Sequence, residues 1–318
     1  MRSRYAVITP CRDEAEHARR ALDSVVRQTV PPSLWVIVDD GSKDATPDIL
    51  AAYARRLRYI RIVRIPDRGT RCIGPGVIGA FYRGYQEIDP NDFDYVCKLD
   101  LDLVLPRRYF ETMMARMQAD PRIGTCSGKP YYVEPRTNRL LPELIGDEMS
   151  VGAAKFYRME CFRQIGGFVP AVMWDGIDCH RCRMLGWIAC SWDDPEIRFI
   201  HLRPMGSSHR GILRGRFRHG CGQYFMGTGL SYMTASSLLR MRRRPYVLGG
   251  IATWLGYVWS LLTRKPRYDD PEFRGFLRRY QRDCLLRGKA RATQRLDDKQ
   301  AAVWNPSRLV PATAPVPG

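Results

Sequence analysis

The sequence predicts an α/β fold in which a Rossmann-like, mostly parallel sheet is flanked by helices and followed by a basic helical extension. Three observations carry this expectation. Short apolar runs of strand length alternate with stretches of helical periodicity through the first hundred residues. The strands run out into polar, acidic turns, the edge at which parallel sheets bind ligands. The net charge of +18 is also unevenly placed, with 22 Lys and Arg against 6 Asp and Glu from residue 201 onward, and 29 against 27 before it.

The elements follow in order. YAVITP (5–10) reads as a buried strand, and EHARRALDSVVRQT (16–29) as a helix with Ala18, Ala21, Leu22, Val25 and Val26 on one side. LWVIVDD (34–40) is a second buried strand. ATPDILAAYARRL (45–57) is a helix with Asp44 and Thr46 as candidate caps and Pro47 in its first turn. YIRIVRI (59–65), a helix around VIGAFYRGYQEI (77–88) and a strand YVCKLDLDLVL (95–105) continue the alternation. Helices between successive strands imply a largely parallel sheet covered on both faces.

With 318 residues and 45% hydrophobic content the chain can bury a substantial core, which excludes a disordered or disulfide-stapled miniprotein. No charged-apolar-small leader opens it, and its ten cysteines are irregularly spaced, so a cytoplasmic protein with free thiols is expected. Cys179-x-x-Cys182 has zinc-like spacing, but no second ligand pair follows at regular spacing.

Three strand ends carry unusual chemistry: TPCRDE (9–14), DDGSKDAT (39–46), and the Asp100/Asp102 pair. In a continuous strand, Asp100 and Asp102 share one face. Two carboxylates so close repel each other and call for a positive partner. A divalent Mg2+ or Mn2+, bound by one or two carboxylates together with substrate phosphates, answers that need.

VITPCRDE, VDDGSKDAT, KLDLD and WDGIDCHRCRMLGW, in this order and at these separations, resemble the inverting family 2 glycosyltransferases of the GT-A fold. The resemblance covers residues 1–200 and implies a nucleotide-sugar-binding and catalytic domain. It implies that Pro10, Arg12, Glu14, Asp40 and Ser42 lie near the nucleoside. Asp100 would lie near the nucleotide and, with Asp102, hold the metal. UDP is the base it implies by default, with GDP and dTDP left open. Departures are Asp13 where Asn is usual, Tyr82 where Asn is common, and Trp174 in place of a Glu.

Inverting transfer also needs a carboxylate base. Asp175 matches the family's base when its E-D-(x)5-R-(x)4-G-W pattern is aligned without gaps, with Arg181 and Gly186-Trp187 in place. Asp178, three residues on and on the same helical face, is the alternative. For either one, an N-cap or an ion pair with Arg181 or Arg183 is the structural reading.

Residues 201–310 form a basic, partly apolar region for acceptor or membrane association, and residues 311–318 a disordered tail. His209 and Arg216 are candidate contacts to a diphosphate or acceptor. The family's Q-x-x-R-W motif of processive synthases is absent, which favours the addition of one or a few sugars. The apolar run 246–262 has basic flanks, Tyr and Trp, but 17 residues span only about 25 Å. It predicts a helix or short hairpin at the inner face of the cell membrane, against the alternative of a buried soluble helix. The resemblance to bacterial polysaccharide-assembly enzymes points to a saccharide acceptor, such as a polyprenyl-linked one. No nucleic-acid partner is expected, because the arginine-rich helices accompany no recognised module. A nucleotidyltransferase or a non-catalytic sugar-nucleotide-binding protein remains the alternative.

Overall fold

The computed structural model describes residues 3–67, 69, 74–134, 137–143, 145–203, 211–242 and 244–308. It begins with β1 (Tyr5–Cys11), α1 (Ala15–Val26), β2 (Leu34–Asp39), α2 (Thr46–Arg56), β3 (Ile60–Arg64), α3 (Pro75–Tyr85) and β4 (Tyr95–Leu99). Next come β5 (Leu103–Val104), α4 (Tyr109–Ala119), β6 (Ile123–Gly128), β7 (Pro130–Val133), β8 (Leu140–Pro142) and β9 (Ala154–Arg158). After α5 (Met159–Gln164), α6 (Trp174–Met184), β10 (Ile188–Trp192) and β11 (Phe199–His201), the larger elements are helices. These are α7 (Ile212–Met226), α8 (Leu230–Arg240), α9 (Leu248–Leu262), α10 (Pro271–Arg287) and α11 (Lys289–Gln300).

Seven strands form the main sheet in the order β10-β6-β9-β4-β1-β2-β3, parallel except for β9, which runs against both β4 and β6. A second, four-stranded sheet has the order β5-β11-β7-β8. β1 shows why the first half reads as uninterrupted apolar runs. Its Tyr5 and Val7 enter one core with α1, α2 and α4, while Ala6 and Ile8 enter the other with α3, α5 and α6. Both faces are buried, as a helix-covered parallel sheet requires.

The structure corrects one element. The predicted strand 95–105 ends at Leu99, the chain turns through Asp100–Asp102, and Leu103–Val104 joins the second sheet. The ladder to β9 stops at Leu99 opposite Ala154. Extending it would carry two acidic side chains along a central strand of the sheet, whereas the turn delivers them to its edge. Leu101 and Leu103 remain buried, so the alternating apolar pattern continues although the strand does not.

Helix α6 is fixed to the sheet by charge. Lys155 of β9, fully buried, donates to both oxygens of Asp178 at 2.5 and 2.6 Å and to the Asp175 carbonyl oxygen at 2.9 Å. The hydroxyl of Tyr157, also on β9, donates to Asp178 as well. Burial alone would lower the Lys155 pKa, but the Asp178 carboxylate overrides it and holds the ammonium protonated. Asp178 is therefore ion-paired with Lys155, not with the Arg181 or Arg183 considered from sequence.

Within the apolar run 246–262, residues from Leu248 onward form one helix, α9, against α7 and α8. Among the described residues no helix is long and apolar enough to cross a membrane. The nine cysteines among these residues are free.

Removing one member of the Lys155–Asp178 pair strands the other's charge in the interior. Asp178→Asn or Lys155→Met should each lower unfolding free energy by about 3–5 kcal/mol in urea titration. The double replacement Lys155→Met/Asp178→Leu should lose less than the two single losses added together.

Candidate active site

The ends of β1 and β2 are clasped by hydrogen bonds between backbone and side chains. Asp40 N donates to Cys11 O at 2.9 Å, Asp13 N to Ser42 Oγ at 2.9 Å, and Glu14 N to Thr46 Oγ1 at 2.8 Å. Asp13 adopts φ 53°, and its carboxylate accepts from Lys43 N at 2.8 Å, a local bond that suits Asp to this left-handed conformation. Asp44 accepts from Thr46 N at the start of α2 and from Ala15 N at the start of α1, so one carboxylate serves two helix entries. Thr46, the other predicted cap, instead accepts from Glu14. Gly41 has φ 72°, and a Cβ there would lie 2.5 Å from the Asp67 Cα, so the D-D-G-S turn needs glycine for both conformation and space.

Within this clasp Arg12 donates to Asp40 O at 3.1 Å and to Asp67 Oδ1 at 2.6 Å. Lys43 pairs with the other Asp67 oxygen, and hydrogen bonds from Lys43, Gly69 N and Arg12 hold that carboxyl well below the usual range. Pro10 is buried in β1 beyond its last residue paired with β4, where a missing N–H costs no ladder bond. Pro10, Arg12, Glu14, Asp40 and Ser42 thus all belong to one edge of the sheet.

Asp100 and Asp102 lie on the next strand end. Lys98 is the positive partner that the sequence reading overlooked: it pairs with Asp100 Oδ1 and donates to Gly152 O at 3.0 Å. Asp102 Oδ2 accepts from Arg203 at 2.9 Å and lies 3.5 Å from His201 Nε2. Arg203 also reaches Glu14 at 2.5 Å, joining the β1 end to the Asp100–Asp102 turn. His201 Nδ1 is 2.9 Å from Glu143. Burial alone would raise the Asp102 carboxyl, but His201 and Arg203 hold it well below its usual range. Burial likewise opposes the His201 charge, yet Asp102 and Glu143 push its pKa up to about 10. Among the described residues Asp100 Oδ2 and Asp102 Oδ1 accept no hydrogen bond, leaving two hard oxygen donors at the turn. No group of three or more His, Cys, Asp or Glu among them is arranged to hold a metal.

Asp175 comes to the same place from the far side. It occupies the first turn of α6, half-buried, and a Cβ built on Gly152 would lie 3.0 Å from its Oδ2. Gly152 is the residue whose carbonyl Lys98 holds. Trp174, which replaces the expected Glu, lies under both lysines, with Lys98 Nζ 5.2 Å and Lys155 Nζ 5.6 Å from its ring centroid. Asp100, Gly152 and Asp175 are therefore consecutive neighbours, whereas Asp178 is committed to Lys155.

The remaining sequence candidates differ in placement. Tyr82 is structural: its hydroxyl donates to Phe168 O at 2.9 Å and accepts from Phe168 N at 2.7 Å. Arg216 sits on α7 with its stem against Gly249 of α9. His209 lies outside the described residues. Sequence reasoning did not place His201 or Arg203 at the acidic turn, and it passed over Glu143 and Lys98. The signal for the last was present, since K-x-D spacing sets Lys98 and Asp100 on one strand face.

The raised His201 pKa has a defined consequence for metal-free protein. Because the folded value of about 10 exceeds the unfolded value near 6.5, His201 contributes stability that is complete below pH 6.5 and lost as pH rises toward 10. In EDTA the urea midpoint should fall across that window, and His201→Gln should flatten the fall. An equal decline in the variant would exclude His201 as its source.

Comparison with known proteins shows a shared fold. The fold is shared with the mannosyltransferase PcManGT from Pyrobaculum calidifontis, solved with GDP-Man and Mn2+ (18% identity over 95% of this chain and 87% of that one, TM-score 0.51). It is shared with S. aureus TarS 1–349 in complex with UDP-GlcNAc (11% identity, 95% and 92%, TM-score 0.52). GalNAc-T7, solved with UDP, GalNAc and Mn2+, shows it too (14% identity, 90% and 58%, TM-score 0.57). No curated protein matches the chain in sequence. The family described as Glycosyl transferase family 2 matches residues 6–174, more than half of the 318 residues, and the chain belongs to that family.

Proposed function

We propose that the protein is a metal-dependent inverting glycosyltransferase, of hexosyltransferase type, that moves a sugar from a nucleoside-diphosphate sugar to a saccharide acceptor. The observation that carries the reading is the run Asp100–Lys98–Gly152–Asp175, which brings the acidic turn and the first carboxylate of α6 together around Gly152. Residues 1–200 supply the donor site and the chemistry. Residues 201–310 serve acceptor or membrane association.

In this reading the base and ribose rest at the clasped turns, near Pro10, Arg12, Glu14, Asp40 and Ser42. The donor set fits Mg2+ or Mn2+: two carboxylate oxygens that accept no hydrogen bond among the described residues, to be completed by substrate phosphates. An ion held there by Asp100 and Asp102 would supply positive charge to the diphosphate leaving group. The acceptor hydroxyl attacks the anomeric carbon from the opposite face, its proton passes to Asp175, and the bond to the diphosphate breaks with the electron pair leaving on oxygen. Asp175 is preferred to Asp178 because the latter's oxygens already accept from Lys155 and Tyr157. Arg203 and His201, already on Asp102, set the charge of the turn. The similar proteins were solved with GDP-Man, with UDP-GlcNAc, and with UDP and GalNAc, which supports a nucleotide-sugar donor, and a UDP-sugar is the donor we favour. A lipid-linked acceptor at the inner face of the cell membrane, in surface polysaccharide assembly, is the biological setting that we propose.

Calorimetric titration with UDP, GDP and dTDP, in Mn2+ and then in EDTA, tests the donor site. One nucleotide should bind only with metal, and Asp102→Asn should weaken that binding. Metal-independent binding, or none, overturns the metal role. Asp175→Asn should keep nucleotide affinity and lower transfer about 10²–10⁴-fold; full activity in this variant would exclude Asp175 as the base.

A further inference from the structure

Helix α9 is built inside out. Its buried positions are Gly249, Gly250, Thr253, Gly256, Tyr257 and Ser260, small or polar except for the tyrosine. Most of its bulky apolar residues point the other way, with Leu248 56%, Leu255 48%, Trp259 55% and Leu262 73% exposed, while Val258 and Leu261 pack against Tyr224, Met233 and Tyr257. A water-facing helix normally shows the reverse, with apolar residues inside and charged ones out. The inner face is tightly used: a Cβ on Gly256 would collide with the Phe217 carbonyl oxygen of α7, and one on Gly220 of α7 with that of Thr253. Small residues that let helix backbones touch while large apolar side chains face outward are a pattern of helices set in lipid.

Neighbouring segments extend the surface. Leu238 and Leu239 at the end of α8, and Tyr246 and Val247 before α9, are each at least half exposed. The sequence around them carries charge of one sign, although Arg244 pairs in the fold with Glu134 at 3.0 Å. Between Glu196 and Asp269 the sequence holds 13 Lys and Arg and no Asp or Glu. Arg242 and Arg244 precede α9, and Arg264 and Lys265 follow it, all exposed. A protein partner of mixed surface would not require a region of 72 residues free of carboxylates, whereas an anionic lipid surface does favour one. At 15 residues and about 22 Å, α9 is too short to span a hydrocarbon core. Its tryptophans suit the interface.

We infer that the outer faces of α8 and α9 form a monotopic membrane-binding surface for an anionic lipid bilayer, with α9 lying in the plane of the headgroups. This deepens the proposed function by giving it a lipid surface, although bilayer binding itself requires no glycosyl transfer. Helix α7 connects the two. It meets α9 through Phe217 and Gly220, and on its other side a Cβ at Gly222 would lie 2.6 Å from Met173 Cγ, at the entry to α6 two residues before Asp175. One helix thickness, about 10 Å, separates the lipid-facing helix from the start of α6.

The test is co-sedimentation of the full chain with phosphatidylcholine vesicles, with and without phosphatidylglycerol. Vesicles containing phosphatidylglycerol should bind it, and added salt should weaken the binding. Leu255→Ser/Trp259→Ser/Leu262→Ser should reduce binding about tenfold or more, with nucleotide titration unchanged. Arg242→Gln/Arg244→Gln should reduce the preference for phosphatidylglycerol. No vesicle binding by the wild-type chain, or unchanged binding by the triple variant, overturns the inference. So does a dimer in sedimentation equilibrium that the triple variant dissociates while vesicle binding is absent, since a second copy then covers the face. Vesicle binding without sugar transfer would defeat the proposed function and leave this inference standing.

Discussion

Two lysines buried side by side govern this structure. Lys98 on β4 and Lys155 on β9 are paired across an antiparallel ladder, so their side chains leave the sheet on the same face. Like charges opposite one another in the interior are destabilising unless each is separately neutralised. Each lysine has its own carboxylate, Asp100 for Lys98 and Asp178 for Lys155, and the Trp174 ring lies near both. The requirement to neutralise these cations fixes the two features that matter for function. Asp100 is held at the strand end, and α6 is held so that Asp175, one turn earlier than Asp178, faces Gly152 beside the acidic turn.

This arrangement separates two aspartates that local sequence could not separate. Asp175 and Asp178 lie three apart on one helix, and their spacing and composition are alike. The difference is made by Lys155, twenty and more residues earlier on an antiparallel strand whose place in the sheet no local pattern reveals. The alternation of strand and helix from Tyr5 to Tyr85 was legible because both faces of the sheet are buried and the apolar runs are correspondingly unbroken. The same rule misread residues 100–105. Leu101 and Leu103 stay buried while the chain turns between sheets, so a period of two persists where no strand does.

The charged cluster behind Asp102 was hidden for a related reason. His201 and Arg203 sit at the end of a three-residue strand in a generally basic stretch, and Glu143 follows another short strand. Their meaning comes from the second sheet, which sets β11 beside both β5 and β7. In sequence they are separate polar residues. In the fold His201 and Arg203 keep Asp102 ionised while it is buried, Glu143 holds the other side of His201, and Arg203 is the tie between the first strand and the acidic turn.

The helical third follows a different logic, which its glycines expose. Helix α7 carries Gly215, Gly220 and Gly222 within 15 residues, although each interior helical glycine costs about 0.5–1 kcal/mol relative to alanine. Two of them have a visible use, because Gly220 admits the α9 backbone and Gly222 admits Met173 at the entry to α6. Side chains there would push α7 away from one neighbour or the other. Contact between backbone and neighbour leaves little room to slide, since packed interfaces of this kind change by discrete steps and do not deform smoothly. Hydropathy alone reads α9 as an apolar segment and cannot say which side of it faces the protein. The spacing of Gly249, Thr253, Gly256 and Ser260 does say so, because a stripe of small residues marks the side where another backbone must come close. Most of the bulky residues are then turned outward by exclusion, and α7 becomes the strut through which that outer face and the first turn of α6 keep a fixed separation.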